Sequence, residues 1–440
     1  MSRDRIVQTY LTLAGLYTLA ASLIWSVNTL FLLDAGLSIG EVFIANAMFS
    51  VGMVLFEIPT GVVADTLGRR VSYLLSVSVL AITTLLYLVA ARAEGGLLVF
   101  GSVSLLMGLG FTFYSGALEA WLVDALATVA KEPRLDHVFA RGAQVSGSAM
   151  FIGTITGGFL GQIDLAIPFV VRSVLLVGLF VLSASLMHEI GFEPHRLRMR
   201  EIPGEMRREA AVGVANGWRQ PGLRLLMISA SIRGVFFGWA FYAAQPYFLE
   251  LLDRDAVWVV GLIMAGLSLA TIVGNQIVDV LGKRCRRRST LLIWASGVST
   301  VAAVIIGVTS TFAVAVAGLL VVAGTMGVMM PVRQAYLHEV TDSEHRATVV
   351  SFDAMVSSVG GVGGQIGLGA LSDSRSFSAG YVVGGAFTVL ALPFLFALRR
   401  LGGRADQMIG DPSIEGSCAS GLPRVAQVES HPVPALVGDD

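Results

Sequence analysis

Apolar residues along this chain come in long unbroken runs, not in the short periodic patches of a soluble fold. Twelve runs are long enough for a helix to cross the hydrocarbon core of a bilayer, which takes about 20 residues. They fall near 11–33, 41–63, 72–91, 97–121, 142–161, 167–187, 225–251, 257–278, 290–308, 312–336, 347–370 and 381–398. The pattern predicts an all-α membrane protein with twelve transmembrane helices. A polar stretch at 188–224, holding seven arginines with Pro194, Pro203 and Pro221, divides the runs into two sets of six. The expected organisation is an N-terminal segment at 1–10, six-helix bundles at 11–187 and 225–398 joined by the loop 188–224, and a tail at 399–440. From about Gly402 the sequence is polar and rich in Gly, Pro and Ser, which predicts disorder.

Composition agrees with the pattern. The 440 residues are 55 % hydrophobic and 14 % charged, with a mean hydropathy of +0.74; soluble domains carry about a quarter charged residues. A net charge of −1 offers nothing to nucleic acid. The placement of the 30 Lys and Arg is more informative. Arg69, Arg70, Lys131, Arg134, Arg141, the seven arginines of 188–224 and five basic residues between Lys283 and Arg288 all fall between runs on the side of the termini. By the positive-inside bias both termini are expected in the cytoplasm and the protein in the cell (inner) membrane. Arg3 and Arg5 precede a first run too long for a cleavable leader, so it reads as a retained anchor.

The enzymatic readings find no support. Cys285 and Cys418 make no metal or disulfide pattern. No phosphate-cradling Gly-rich loop ending in Lys-Ser/Thr, no HExxH and no GxSxG is present. No cofactor or metal is called for, and neither ATP-driven pumping nor hydrolytic chemistry is expected.

The two sets of six repeat. Asp65-x-x-Gly68-Arg69-Arg70 recurs as Asp279-x-x-Gly282-Lys283-Arg284, an offset of 279 − 65 = 214. Trp25 and Trp239, Gly147 and Gly361, and Gly153 and Gly367 share that offset. At 215, Glu119-Ala-Trp-Leu-x-Asp124 matches Gln334-Ala-Tyr-Leu-x-Glu339. Parallel repeats of this kind place a substrate site near the midplane between halves.

With these residues in view, the chain resembles the major facilitator superfamily. Gly61-Val-Val-Ala-Asp65-Thr66-Leu-Gly68-Arg69-Arg70 is similar to that family's loop motif between helices 2 and 3. The resemblance covers about residues 8–400 and extends to the drug:proton antiporters, with two departures. Thr66 stands where the motif commonly has a basic residue, and Gly153-Thr-Ile-Thr-Gly157-Gly158 keeps the glycines of the antiporter helix-5 motif without its proline. Mid-helix 4 also lacks the arginine that many proton antiporters of the family place there. The resemblance implies two pseudo-symmetric six-helix bundles rocking about a central site, a small-molecule substrate, protons as the coupling ion, and a monomer in the lipid bilayer. Export of amphipathic compounds is the first reading; import or facilitated passage of a metabolite, or a non-transporting receptor or scaffold, are the others.

Candidate residues fall into three groups. Gly61, Asp65, Gly68, Arg69 and Arg70 form either a conformational latch, with Asp65 accepting N–H bonds at a helix N-terminus and the arginines reaching Asp353 on helix 11, or a topology turn with solvated charges. Glu57, in the inner third of helix 2, is either a carboxylate that binds and releases a proton or a structural hydrogen-bond acceptor. Glu119 and Asp124, with Arg333 as the helix-10 counterpart, are either coupling residues or inner-gate ion pairs. Trp25, Asn28, Trp239, Tyr242 and Gln245 are placed to line a cavity suited to a flat, partly apolar and even cationic compound, or else pack between helices. Arg233 is the preferred charged cavity residue, whereas Arg172, near the outer end of helix 6, is expected to snorkel outward. Glycines four apart, Gly153, Gly157 and Gly161, then Gly360 with Gly364 and Gly363 with Gly367, predict close helix packing and a sliding surface between the halves.

Overall fold

The computed structural model describes residues 1–129, 135–192, 202–342 and 345–408. Lys131, Arg134, Pro194 and the tail from 409 onward lie outside the described residues. The N-terminal half comprises α1 (Arg3–Ser22), α2 (Asn28–Asp34), α3 (Ile39–Leu67), α4 (Arg69–Arg92), α5 (Gly96–Tyr114), α6 (Ala117–Val129), α7 (Leu135–Ile163) and α8 (Ile167–Leu186). A linker helix, α9 (Ile202–Gly213), runs through a π turn at Val214–Trp218 into the C-terminal half. That half comprises α10 (Pro221–Leu252), α11 (Val257–Arg284), α12 (Arg288–Val308), α13 (Phe312–Val340), α14 (Arg346–Ser374), α15 (Phe377–Phe387) and α16 (Leu392–Leu401).

Each predicted run is helical, but three are interrupted. Run 1 divides between α1 and α2 over Leu23–Val27, run 4 between α5 and α6 at Ser115–Gly116, and run 12 between α15 and α16 at a 3₁₀ turn, Thr388–Ala391. Gly116 has φ +71, a conformation that glycine enters without a Cβ penalty, which accounts for the second break. Pro393 at the start of α16 has no N–H to continue the helix before it, which accounts for the third. The first break contains neither Gly nor Pro. Ten helical stretches are long and apolar enough to cross a bilayer on those criteria alone, the split α5–α6 and α15–α16 rods among them. The α1–α2 rod and α7, more polar or broken, complete the bundle.

Helices within each half pack by the same scheme. α1 lies on α7 and α10 on α14; α3 lies on α5 and α11 on α13; α4 lies on α8 and α12 on α15. Glycine makes these approaches close. A Cβ on Gly108 would meet Phe49 O of α3, and one on Gly327 would meet Thr271 O of α11. Gly153 and Gly157 abut the Leu19 and Leu23 carbonyls of α1, and Gly360 and Gly364 abut those of Ser231 and Val235 of α10. These four glycines therefore bind helices inside one half. That bears out their reading as packing glycines, whereas Gly158, Gly161 and Gly261 lie where the two halves touch.

The two halves meet at the end of the bundle away from the termini, here the far end. Gly158 of α7 faces Gly261 of α11, where an added Cβ would lie 2.7 Å from the Gly261 Cα. Gln162 Nε2 donates to the Asp255 carbonyl at 2.9 Å. Phe43 of α3 inserts among Phe236, Trp239 and Tyr381 of the other half and belongs to that half's core. Toward the terminal end the faces diverge: Glu57 is exposed and Gly61 has open space on its Cβ side. The linker helix α9 packs on α14 there, through Gly213 against the Phe352 ring.

Candidate functional site

The turn between α3 and α4 is built as a brace inside its own half. Ser38 and Glu41 fix the start of α3 in a reciprocal capping box, and the helix then runs 29 residues to Leu67. Gly68, at φ +108, reverses the chain directly into α4. Arg69 lies 2.5 Å from Asp65, one turn back, and 3.7 Å from Asp124 on α6. The guanidinium of Arg70 donates to the Ala184 carbonyl at 2.7 Å. Neither arginine reaches Asp353, which instead pairs with Arg333. The predicted partnership is thereby corrected, because α3 and α14 have separated at this end while α6 remains alongside. Asp65 does not cap a helix N-terminus either, since it lies within α3. The N-terminus of α4 is capped by Glu189, whose Oε2 accepts from the Arg70 N–H at 3.0 Å.

The C-terminal half repeats this brace with different residues. Arg288 at the start of α12 lies 2.5 Å from Glu339 of α13. Asp406, just past α16, accepts from the Ser289 N–H at 2.7 Å and its hydroxyl at 2.9 Å. Asp406 is buried, so residues 402–408 fold onto the α11–α12 turn, correcting the disorder expected from Gly402. Gly282, the sequence match for Gly68, stays helical inside α11, and Asp279 is exposed. Spatial equivalence therefore pairs Arg69 with Arg288, an offset of 288 − 69 = 219, rather than the 214 of the sequence match. Sequence reasoning missed Glu189, Arg288 and Asp406. The signal was present in outline: an acidic residue follows the sixth run of each half, 406 − 189 = 217 apart.

Between the halves lies a cavity of about 520 Å³, walled by α7, α10, α11, α13 and the α1–α2 break. Trp25, Thr154, Phe237, Phe241, Met264 and Met326 line it. Of the predicted cavity residues Trp25 takes this position, its ring 6.3 Å from Phe241 and nearly perpendicular to it. Tyr242 sits behind, edge-on to Phe241 and half-buried. Like Tyr242, the other four, Arg233 among them, do not line the cavity, and each is corrected. Trp239 is fully buried against Phe43, Phe236 and Tyr381. Asn28 donates to Asn46 within its own half. Gln245 bridges the halves, accepting from the Thr29 N–H at 2.8 Å and donating to the Trp25 carbonyl at 3.0 Å. That bridge holds the broken stretch of α1–α2, whose freed backbone groups it satisfies.

The charged residues separate by surroundings. Glu57 accepts a hydrogen bond from Ser115 Oγ at 3.2 Å, at the α5–α6 break on the open side. Glu119 is exposed and Asp124 is engaged by Arg69, so the two do not act as a pair. Arg233 is buried, with Nε donating to the Ser229 carbonyl at 3.3 Å and its guanidinium against Met329 Sδ. Arg333 is shared between Asp353 and Ser357. Arg172 does not snorkel: it is 1 % exposed, and all three guanidinium nitrogens lack a partner, as does the nearby Tyr17 hydroxyl. It lies on the buried face of α8, close enough to Tyr17 and Tyr87 to interact electrostatically, which corrects the sequence expectation. Among the described residues no cluster could hold a metal ion.

The Major Facilitator Superfamily sequence profile matches residues 256–409. The whole described bundle superposes on a crystal structure of the nucleoside transporter NupG with a TM-score of 0.71, over 90 % of this chain and 98 % of that one, at 12 % identity. The chain is thus similar to the major facilitator superfamily in sequence over its C-terminal third and in fold over most of its length. Ten of its helical stretches are long and apolar enough to cross a membrane, as the likeness to multi-pass transporters requires. A bacterial homologue of the human lysosomal transporter Spinster, crystallised inward-facing and unoccupied, superposes with a TM-score of 0.71 over 92 % of this chain and 98 % of its own, at 13 % identity. Among curated proteins, the class E tetracycline resistance protein of Escherichia coli is 25 % identical over 228 residues, 51 % of each chain. The uncharacterised transporter YxaM of Bacillus subtilis is 24 % identical over 176 residues, 40 % of this chain and 41 % of its own. The chain thus spans about half the length of the curated relatives it matches.

Proposed function

We propose that this protein is a secondary active transporter that exports small amphipathic compounds by alternating access, driven by protons. The observation that carries the reading is a cavity of about 520 Å³ between two halves that touch at the far end and diverge at the terminal end. With the termini in the cytoplasm, as the Lys and Arg bias argues, this is an inward-open state. The partial likeness to a tetracycline resistance protein supports export.

Glu57 is the proposed proton carrier. It is exposed on the open side, and closure of that side would enclose it in a low dielectric, where a carboxylate is costly unless neutralised. The α3–α4 turn, from Gly61 through Asp65 and Gly68 to Arg69 and Arg70, is the proposed latch. Its arginines hold Asp124 and the end of α8 in this state and come into reach of α14 when the terminal end closes.

Reconstitution into liposomes with an imposed ΔpH and a panel of dyes and drugs tests the reading. Substrate moving against the inward proton flow, and loss of that coupling in Glu57→Gln, are the expected results. Equilibration indifferent to ΔpH would make the protein a facilitator, and absence of all flux would make it a receptor or scaffold.

A further inference from the structure

A buried and a partly buried arginine in the C-terminal half lie near a single carboxylate. Arg233 on α10 is 7 % exposed and has a backbone carbonyl and a thioether as its hydrogen-bond partners, neither of which carries charge. Arg333 on α13 pairs with Asp353, itself 7 % exposed. All three groups are near enough to interact electrostatically. The cluster therefore carries one uncompensated positive charge in a region where an unbalanced ion is expensive.

Its position joins it to the cavity. Phe237 lies one turn beyond Arg233 on α10, and Met326 lies three residues before Met329 on α13, so both cavity-lining residues share a helix face with the cluster. Arg333 keeps part of its side chain exposed, and its Nε is without a partner. The Phe237–Met326 end of the aromatic chamber thus lies beside a cationic cluster with a spare donor.

From this we infer that the cargo is an amphipathic organic anion: its apolar body occupies the chamber beside Trp25, Phe237 and Phe241, and its carboxylate or sulfonate lies between Arg233 and Arg333. The inference rests on the transport reading above and gives it a charge class, opposite to the cationic compound that the aromatic lining alone suggests. The anion completes the network that Asp353 half fills, and Asp353 competes with it for Arg333. A guanidinium fork binds a planar carboxylate through paired N–H bonds, a match no aromatic wall offers a cation here.

Two probes of equal shape and opposite charge test this, 2-naphthoate and 2-naphthylmethylammonium, with the full chain in lipid nanodiscs. Binding is read by tryptophan fluorescence and by thermal stabilisation. Naphthoate is expected to bind and the ammonium to bind far more weakly. Arg233→Gln should weaken naphthoate at least about tenfold, the loss of one charge-assisted contact, with partial recovery in Arg233→Lys. Asp353→Asn should tighten it, which a merely structural role for Asp353 does not produce and which keeps the test open if an arginine variant fails to fold. Equal or better binding of the ammonium, or unchanged naphthoate affinity in Arg233→Gln, overturns the inference. Naphthoate binding to the wild type without ΔpH-driven flux of any probe overturns the transport reading alone.

Discussion

Replacing Gly158 by Ala puts a methyl group into the seam that closes the far end. The new Cβ would sit 2.7 Å from Gly261 Cα, 3.1 Å from its nitrogen and 3.3 Å from the Val257 carbonyl. Carbon atoms pack comfortably at about 3.5–4.0 Å, so α7 and α11 must part by the better part of an ångström. Overpacking of this kind costs about 1–3 kcal/mol, and here it falls on one conformation. If the seam opens in the alternate state, that state gains by the same amount, about 5–150-fold in population. Thr29→Cys reports the change, because Thr29 is 1 % exposed beside the Gln245 bridge. In a background with Cys285 and Cys418 replaced by Ser, a membrane-impermeant maleimide should label this cysteine several-fold faster in Gly158→Ala. Gly178→Ala, where a Cβ meets nothing within 4 Å, is the control and should leave the rate unchanged. Equal labelling of the Gly158→Ala and Gly178→Ala proteins would refute the argument that this seam holds the far end shut.

Gln245→Leu leaves the Thr29 N–H and Trp25 carbonyl unpaired, at about 1–3 kcal/mol each, and should raise Thr29→Cys labelling in the same direction as Gly158→Ala; unchanged labelling would deny the bridge. Arg172→Met removes a buried, unpaired charge, and by the behaviour of buried ions replaced with apolar residues should hold or raise stability by up to about 4 kcal/mol. A fall of the melting temperature by more than about 5 °C, the equivalent of 1–2 kcal/mol in a domain, would mean that Arg172 has a partner the geometry does not reveal. Glu189→Ala and Asp406→Ala each remove a helix cap, worth about 0.5–2 kcal/mol. Amide exchange should quicken in the first turn of α4 for one and of α12 for the other; exchange spread evenly over the bundle would contradict the caps.

The fold was legible because hydrophobicity, charge bias and the internal repeat report the same thing. Runs of apolar residues set the helices, and the match of Asp65–Arg70 with Asp279–Arg284 marked two related halves. What escaped the sequence was the set of contacts that depends on which end is closed. The family resemblance sets Asp353 opposite Arg69 and Arg70, but in this state the terminal ends of α3 and α14 are apart and Arg333, on a neighbouring helix of the same half, claims it. The break at Leu23–Val27 has no Gly or Pro to announce it, since it is held from outside by Gln245 and by Ser26 bonding to Thr154. Arg172 illustrates the same limit: its distance from the helix end is equally compatible with snorkelling and burial, and only the rotation of α8 decides between them. The capping acids were hidden for a simpler reason. Glu189 and Asp406 lie in segments whose polarity reads as loop, and nothing local reveals that a loop folds back onto a helix N-terminus.

The central claim is that the two ends open in turn, and paired spin-label distances in nanodiscs test it most directly. One pair at Asp164 and Arg254 spans the far end, and another at Leu67 and Ser351 spans the terminal end; all four positions are exposed. The account predicts two distances for each pair, with the far-end pair lengthening in the same proportion of molecules in which the terminal pair shortens. Changing pH or adding a bound anion should shift those proportions together. A single fixed distance at both ends, or two ends that open and close in unison, would contradict alternating access in this protein.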